Sequence, residues 1–271
     1  MKTRLLTAVV LVPFLLLVVL ILPAIVMTVF LAAFSAIAAY ELLLRTGLLC
    51  HLRLVAYCMV VAFGVPLFCY FGMPYVWGLL GVLLFMAALF GEMMASQGKL
   101  LFEKVSLCFV AGLLLPYLLS ALVRILIVPG LGRYWIMIPL ILAFIPDSGA
   151  YFAGCFFGKH KLAPTISPKK TVEGAVGGVL TAILAMVIYT LILDFGFSLA
   201  VNYLYAVLYG AVVSLGAVYG DLMFSVIKRQ TGIKDYGILF PGHGGILDRF
   251  DSMMIVAPLT EILLILMPVV V

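Results

Sequence analysis

Long apolar runs alternate with short polar breaks along almost all of the 271 residues of the chain. A helix needs about 20 consecutive apolar residues to cross the hydrocarbon core of a bilayer. Turn residues and charges divide the runs into nine stretches of about that length, at 5–22, 24–44, 54–72, 75–96, 105–128, 134–157, 172–194, 198–221 and 250–270. The pattern therefore predicts an all-α protein, a polytopic transmembrane helix bundle of about nine spans.

The positions of lysine and arginine support this number of spans. If the N-terminus is cytoplasmic, 14 of the 16 Lys and Arg residues fall in loops on the cytoplasmic side, and only Arg124 and Arg133 lie toward the other side. Such an excess is typical of cytoplasmic loops. The first run lacks a small-x-small cleavage site, so we expect a retained span there rather than a signal peptide.

Composition excludes a water-soluble domain. Hydrophobic residues make up 66% of the chain and charged residues only 10%, whereas a soluble domain carries about a quarter charged residues. The net charge of +5 lies in short loops, where membrane topology explains it and no nucleic-acid partner is needed. The five cysteines show no C-x-x-C spacing, so we expect neither a disulfide framework nor a cysteine metal site.

Two cytoplasmic loops, 159–171 and 228–247, are longer and more polar than the others. Both loops lie in the C-terminal half, so we divide the chain into an N-terminal region of about five spans (1–133) and a catalytic region of about four spans (134–271) that contains both loops. Glycines at four-residue spacing flank both loops and allow helix backbones to approach closely. These glycine-rich faces allow a homodimer without requiring one.

Asp147 is the clearest ionisable residue inside a predicted span, where it follows Pro146. A carboxylate at membrane depth needs a partner, water or a function. Two interpretations stay open: Asp147 pairs with a buried Lys or Arg, or it faces an internal cavity as a functional group.

The first long loop contains Ser167-Pro-Lys169-Lys170-Thr171 directly before a predicted helix start. A hydroxyl, backbone N–H groups and lysines at such a position favour phosphate binding. The alternative is that these lysines only obey the positive-inside rule or touch anionic lipid headgroups.

The second long loop lies between two aspartates, because Asp221 closes one predicted span and Asp248 opens the next. A helix hairpin would bring both carboxylates to the cytoplasmic boundary, where carboxylates and phosphate oxygens commonly hold Mg²⁺. His243 lacks a second His or Cys for zinc, and we assign it to substrate contact or loop organisation, beside Gly244 and Gly245. The basic residues available to neutralise phosphate charge here are Lys228, Arg229, Lys234 and Arg249.

The run from Ser225 to Asp251 reads S-x-I-K-R-x4-K-D-x-G-x3-P-x-H-G-G-x2-D-R-x-D. It resembles the signature of the CDP-diacylglycerol synthase family, also called phosphatidate cytidylyltransferases. The segments that begin at Asp147 and Ser167 are also similar to that family, so the resemblance covers roughly the C-terminal half.

This resemblance implies that CTP and phosphatidic acid from the bilayer react to give CDP-diacylglycerol and pyrophosphate, at the cytoplasmic face of a bacterial inner membrane. It implies Mg²⁺, with a second cation allowed, on Asp221 and Asp248, and Asp147 as a further ligand or support. Lys228 would also act in catalysis. The residues it implies for phosphate binding are Ser167, Lys169, Lys170, Lys228 and Lys234.

Two other functions remain open at this point. A CTP-dependent lipid kinase would also bind CTP and metal but would transfer the γ-phosphate, and the complete H-G-G-x2-D-R-x-D signature argues against it. A transporter would place polar residues near the bilayer midplane and show an internal repeat. Here most polar residues lie at one face of the bilayer, and we detect no internal repeat.

Overall fold

The computed structural model describes residues 19–237 and 244–270, and nearly all of its regular structure is helical. The helices are α1 (Ala24–Arg45), α2 (Leu52–Tyr70), α3 (Tyr75–Ala95), α4 (Phe102–Leu126), α5 (Gly132–Phe157), α6 (Val172–Phe197), α7 (Tyr203–Gln230), α8 (Leu247–Phe250) and α9 (Met253–Leu266). An antiparallel hairpin of β1 (Lys161–Ala163) and β2 (Ser167–Thr171) connects α5 to α6. In this hairpin Lys161 pairs with Thr171, and Ala163 pairs with Ser167.

The prediction of an all-α polytopic membrane protein is confirmed. Among the described residues, seven helices, α1 to α7, are long and apolar enough to cross a bilayer. The first predicted span, 5–22, lies almost entirely outside the described residues. The last one, 250–270, is wrong in extent, because Asp251 and Ser252 precede a helix α9 of only 14 residues, which is shorter than a typical span.

Helix α7 is longer than the predicted span. The predicted span ended at Asp221, but the helix continues to Gln230, and Lys228 and Arg229 lie in its last turn. Basic side chains there interact favourably with the negative end of the helix dipole. Asp221 therefore lies inside a helix, and the second long loop begins after Gln230. The first long loop forms the β hairpin, which the hydrophobic pattern did not predict.

The chain divides into two compact units. The first unit comprises Met1–Ile127 and Gln230–Phe250, and the second comprises Val128–Arg229 and Asp251–Val271. The predicted N-terminal and catalytic regions are defined by function, which these two units do not test, so that division stays a prediction.

Within the second unit, glycines bring helix backbones into direct contact. A methyl group added at Gly174 would lie 2.8 Å from the carbonyl oxygen of Ala150, and one added at Gly178 would lie 3.0 Å from that of Pro146. These contacts fix α6 against α5 along the segment that carries Asp147. The predicted role of the glycines in close helix packing is confirmed here.

We expect Gly210→Ala to destabilise the protein, because the added methyl group would lie 2.5 Å from Cα of Ile183, a backbone atom that cannot move aside. Overpacking of this kind costs about 1 to 3 kcal/mol. Gly81→Ala is the matched control, since Gly81 lies on α3 with nothing within 4 Å of the added carbon. Thermal unfolding in detergent should show a lower midpoint for Gly210→Ala alone. Equal midpoints for both variants would contradict the contact.

Candidate active site

Asp221 is the centre of the polar cluster in the second unit. Its Oδ2 lies 2.5 Å from Nζ of Lys170, and its Oδ1 accepts a hydrogen bond of 3.1 Å from the hydroxyl of Ser225. Ser225 follows one helical turn later, so the helix itself sets the second contact. The Lys170 and Asp221 side chains are 26% and 28% exposed, which leaves the ion pair sheltered but within reach of solvent.

Asp251 lies in the turn before α9, and Gly220 allows this turn to approach α7. A methyl group at Gly220 would lie 3.0 Å from the carbonyl oxygen of Asp251 and 3.1 Å from Cα of Ser252. The Asp251 carboxylate accepts a hydrogen bond of 2.7 Å from the N–H of Ser252. Because Gly220 directly precedes Asp221, the close approach brings the two aspartates into the same neighbourhood.

Burial and the charges of other groups both affect the pKa of Asp251. Burial of its carboxyl group raises its pKa to about 7, and the negative charges of Asp221 and Asp147 act in the same direction. The N–H of Ser252 and the charge of Lys228 lower the pKa. Three carboxylates and a lysine therefore share one environment, in which the carboxylates repel each other unless cations compensate them.

The β hairpin is fixed to the start of α6 by Glu173. Its carboxylate accepts hydrogen bonds from the backbone N–H groups of Lys159 (3.1 Å) and His160 (3.2 Å), and it lies 2.6 Å from Nδ1 of His160. The hydroxyl of Thr171 caps the helix by accepting from the N–H of Gly174 at 3.1 Å. Glu173 therefore orients the strand that carries Lys170.

The turn of the hairpin is fixed to α7 by Arg229, whose Nε donates to the carbonyl oxygen of Ile166 at 3.1 Å. The segment Ser167–Thr171 is thus attached at one end to α6 and at the other to α7. Lys169 on this strand is exposed, while Lys170 is half-buried and points to Asp221. The segment Ser167–Thr171, which was predicted to bind phosphate, therefore lies next to Asp221.

Asp248 lies in α8, in the first unit. Its Oδ2 accepts hydrogen bonds from the N–H groups of Tyr236 (2.7 Å) and Gly245 (2.9 Å). Gly244 has φ of +83°, and a methyl group there would lie 2.7 Å from Oδ2 of Asp248. A left-handed conformation in such close contact requires glycine. Gly244 and Gly245 therefore organise the Asp248 carboxylate.

Glu41 of α1 contacts the same turn. It is only 3% exposed, and its carboxylate accepts hydrogen bonds from the N–H groups of Ile246 (3.1 Å) and Leu247 (2.8 Å). Glu41 is a contact residue that the sequence pattern did not single out as part of a site. Its position in an apolar span was the available signal, but its backbone partners lie about 205 residues away in sequence.

The structure distributes the predicted site residues between the two units. Asp147, Asp221 and Lys228 lie in the second unit and act electrostatically on Asp251, while His243 lies outside the described residues. Sequence reasoning missed Asp251, although it is the last residue of the D-R-x-D signature, and Ser225, the first residue of the longer run. The predicted residues in the first unit are Lys234, Gly244, Gly245, Asp248 and Arg249.

Seven long apolar helices define this chain as a multi-pass membrane protein, and its second unit contains a cluster of carboxylates and lysines. The chain belongs to the cytidylyltransferase family, whose family model matches residues 2–267. The resemblance inferred from Ser225 to Asp251 is therefore confirmed.

Among curated proteins, the chain is similar to phosphatidate cytidylyltransferases of staphylococci. It is 46% identical over 134 residues to that of Staphylococcus epidermidis, which covers 49% of this chain and 50% of the relative. The corresponding identity is 43% over 134 residues for Staphylococcus saprophyticus, with the same coverage. It is 43% over 136 residues for Staphylococcus aureus, which covers 49% of this chain and 50% of the relative. The chain spans about half the length of the curated relatives it matches.

We expect Glu173→Gln to loosen the junction of the hairpin with α6, since a neutral amide is a weaker acceptor for the N–H groups of Lys159 and His160. Amide hydrogen exchange in the peptide 158–163 should become several-fold faster. Asp194→Asn is the matched control, because Asp194 lies near the other end of α6 and accepts from the hydroxyl of Tyr203. Unchanged exchange in this peptide for Glu173→Gln would show that other contacts hold the junction.

Proposed function

We propose that the protein is a phosphatidate cytidylyltransferase, which transfers CMP from CTP to phosphatidic acid and releases pyrophosphate. The observation that carries this proposal is the Lys170–Asp221 ion pair beside Asp251, in a membrane protein of the cytidylyltransferase family. The name of the staphylococcal relatives supports the choice of phosphatidate as the acceptor.

The chemistry of this reaction fits the residues of the second unit. An oxygen of the phosphatidate headgroup attacks the α-phosphorus of CTP, and the bond from this phosphorus to the β-phosphate oxygen breaks. The attacking oxygen is already anionic near neutral pH, so no general base is required. The main obstacle is repulsion between two polyanions, which positive charges at fixed positions reduce. Lys169, Lys170 and Lys228 supply such charges, and the Glu173 and Arg229 contacts hold the strand that bears the first two.

We further propose that the site uses Mg²⁺, with a second cation allowed. Among the described residues, no group of three or more His, Cys, Asp or Glu side chains is already arranged to hold a metal ion. The donors themselves fit a hard cation, since the cluster around Asp221 offers carboxylate and hydroxyl oxygens. The resemblance implies Asp221 and Asp248 as its ligands and Asp147 as a further ligand or support, and we add Asp251, whose turn lies against Gly220. A bound Mg²⁺ would neutralise charge on CTP and on the departing pyrophosphate.

We also propose that the site faces the cytoplasm in the bacterial inner membrane. The distribution of Lys and Arg between alternate loops supports this orientation. CTP then arrives from water, while the acyl chains of phosphatidate remain in the bilayer. Ser167, Lys234, His243 and Arg249 are assigned to substrate binding on the sequence pattern and the resemblance.

The first experiment supplies purified protein with phosphatidic acid, Mg²⁺ and CTP labelled on the α-phosphate and, in parallel, on the γ-phosphate. We expect the α-label to enter a CDP-lipid and the γ-label to leave as pyrophosphate, and EDTA to abolish both. With a diacylglycerol acceptor, γ-label in a lipid phosphate and release of CDP would support a lipid kinase instead. Counterflow of solute without nucleotide turnover would support a transporter.

The second experiment replaces Asp221, Asp248 and Asp251 individually by Asn. Each variant keeps the size of the side chain but loses a charge that we assign to the catalytic centre, so we expect the rate to fall on the order of 100-fold or more. Asp194→Asn, in α6 and away from the cluster, should retain the normal rate. All variants should elute from size-exclusion chromatography as the wild type does. Near-normal activity in any of the three would refute the role of that residue.

A further inference from the structure

Glu41 makes contacts that an ordinary charged residue in a membrane helix does not make. Its two carboxylate oxygens separately accept the N–H groups of two consecutive residues, Ile246 at 3.1 Å and Leu247 at 2.8 Å. The group is buried, and it lies at the start of Glu41–Arg45, a π-helical turn that ends α1. Such turns are frequent at functional sites.

Two glycines make room for this carboxylate. A methyl group at Gly237 or at Gly245 would overlap Oε1 of Glu41. The loop backbone therefore closes around the carboxylate from both sides. A buried carboxylate in this cradle is favourable only while the surrounding N–H groups donate to it.

The same turn carries Asp248. The N–H of Gly245 donates to Asp248, and the next two N–H groups along the chain donate to Glu41. Three consecutive backbone donors are therefore divided between two carboxylates from different helices. The position of the Asp248 side chain depends on the path of this backbone, because Asp248 follows Leu247 directly.

We infer that Glu41 is a positioning residue, which fixes the backbone turn Gly245–Leu247 and thereby the direction of the Asp248 carboxylate. This inference rests on the proposed function, since it concerns catalysis only if Asp248 belongs to the reaction centre. In this role Glu41 would act without contact to a reacting group. It acts through the backbone of the signature segment.

The test compares Glu41→Gln with Glu92→Gln. In Glu41→Gln, one carboxylate oxygen becomes an NH₂ group that faces a backbone N–H, so two donors oppose each other. Glu92 is a matched control on α3 of the same unit, and its carboxylate lies 3.3 Å from the Tyr57 hydroxyl and 4.0 Å from the Arg53 side chain. Gly237→Ala is a second test, because it displaces the Glu41 carboxylate without removing its charge.

We expect Glu41→Gln to lower kcat for CDP-lipid formation by about 10- to 100-fold, the usual effect of removing a group that orients a ligand residue. KM for CTP should change less than kcat, and amide exchange should increase in the peptide 244–250 but not in α2 or α3. Gly237→Ala should reproduce this pattern, and Glu92→Gln should resemble the wild type. A uniform increase in exchange across the protein would indicate a purely structural role and overturn the inference.

Two further results would also overturn it. One is normal kcat in Glu41→Gln together with faster exchange in 244–250. The other is a loss of kcat without any change in that exchange. If Glu41→Gln does not fold, Gly237→Ala decides by the same criteria. A wild type that forms no CDP-lipid would reject the proposed function, while exchange in 244–250 would still report whether Glu41 holds the turn.

Discussion

The ion pair between Lys170 and Asp221 joins two side chains that lie far apart in the sequence of a largely apolar helical protein. A carboxylate in such surroundings is stable only with donors close to it. Lys170 comes from a strand that Glu173 and Arg229 hold in place, and Ser225 comes from the helix of Asp221 itself. The hairpin and the last turn of α7 can therefore be understood as the support of this one pair.

Glycine provides the second condition, which is close approach of backbones. Gly174 and Gly178 allow α6 to lie directly on the segment of α5 that carries Asp147, and Gly220 admits the turn of Asp251 beside Asp221. Side chains at these positions would separate the elements and disperse the charges. In the first unit, Gly237 and Gly245 do the same for the carboxylate of Glu41. The same glycines thus determine how closely the backbones pack and where the charged side chains lie.

Much of the fold could be predicted because one physical requirement, the burial of backbone polar groups in lipid, permits few solutions. Seven of the predicted spans correspond to long helices. The wrong boundaries lie where the end of an apolar run is not the end of a helix. Helix α7 continues past the apolar run through Lys228 and Arg229, and α9 begins only after Asp251 and Ser252. Hydrophobic periodicity reports what enters the bilayer, but a helix can extend beyond it into water.

The sequence by itself determined that this is a multi-pass membrane protein and, through the run from Ser225 to Asp251, that it belongs to the cytidylyltransferase family. These properties depend on composition and on local spacing. Only the tertiary structure decided that Lys170 pairs with Asp221, that Asp251 joins the carboxylates, and that Glu41 holds the turn of Asp248. These contacts join residues that are far apart along the chain, and they follow from how helices pack, which no local pattern specifies.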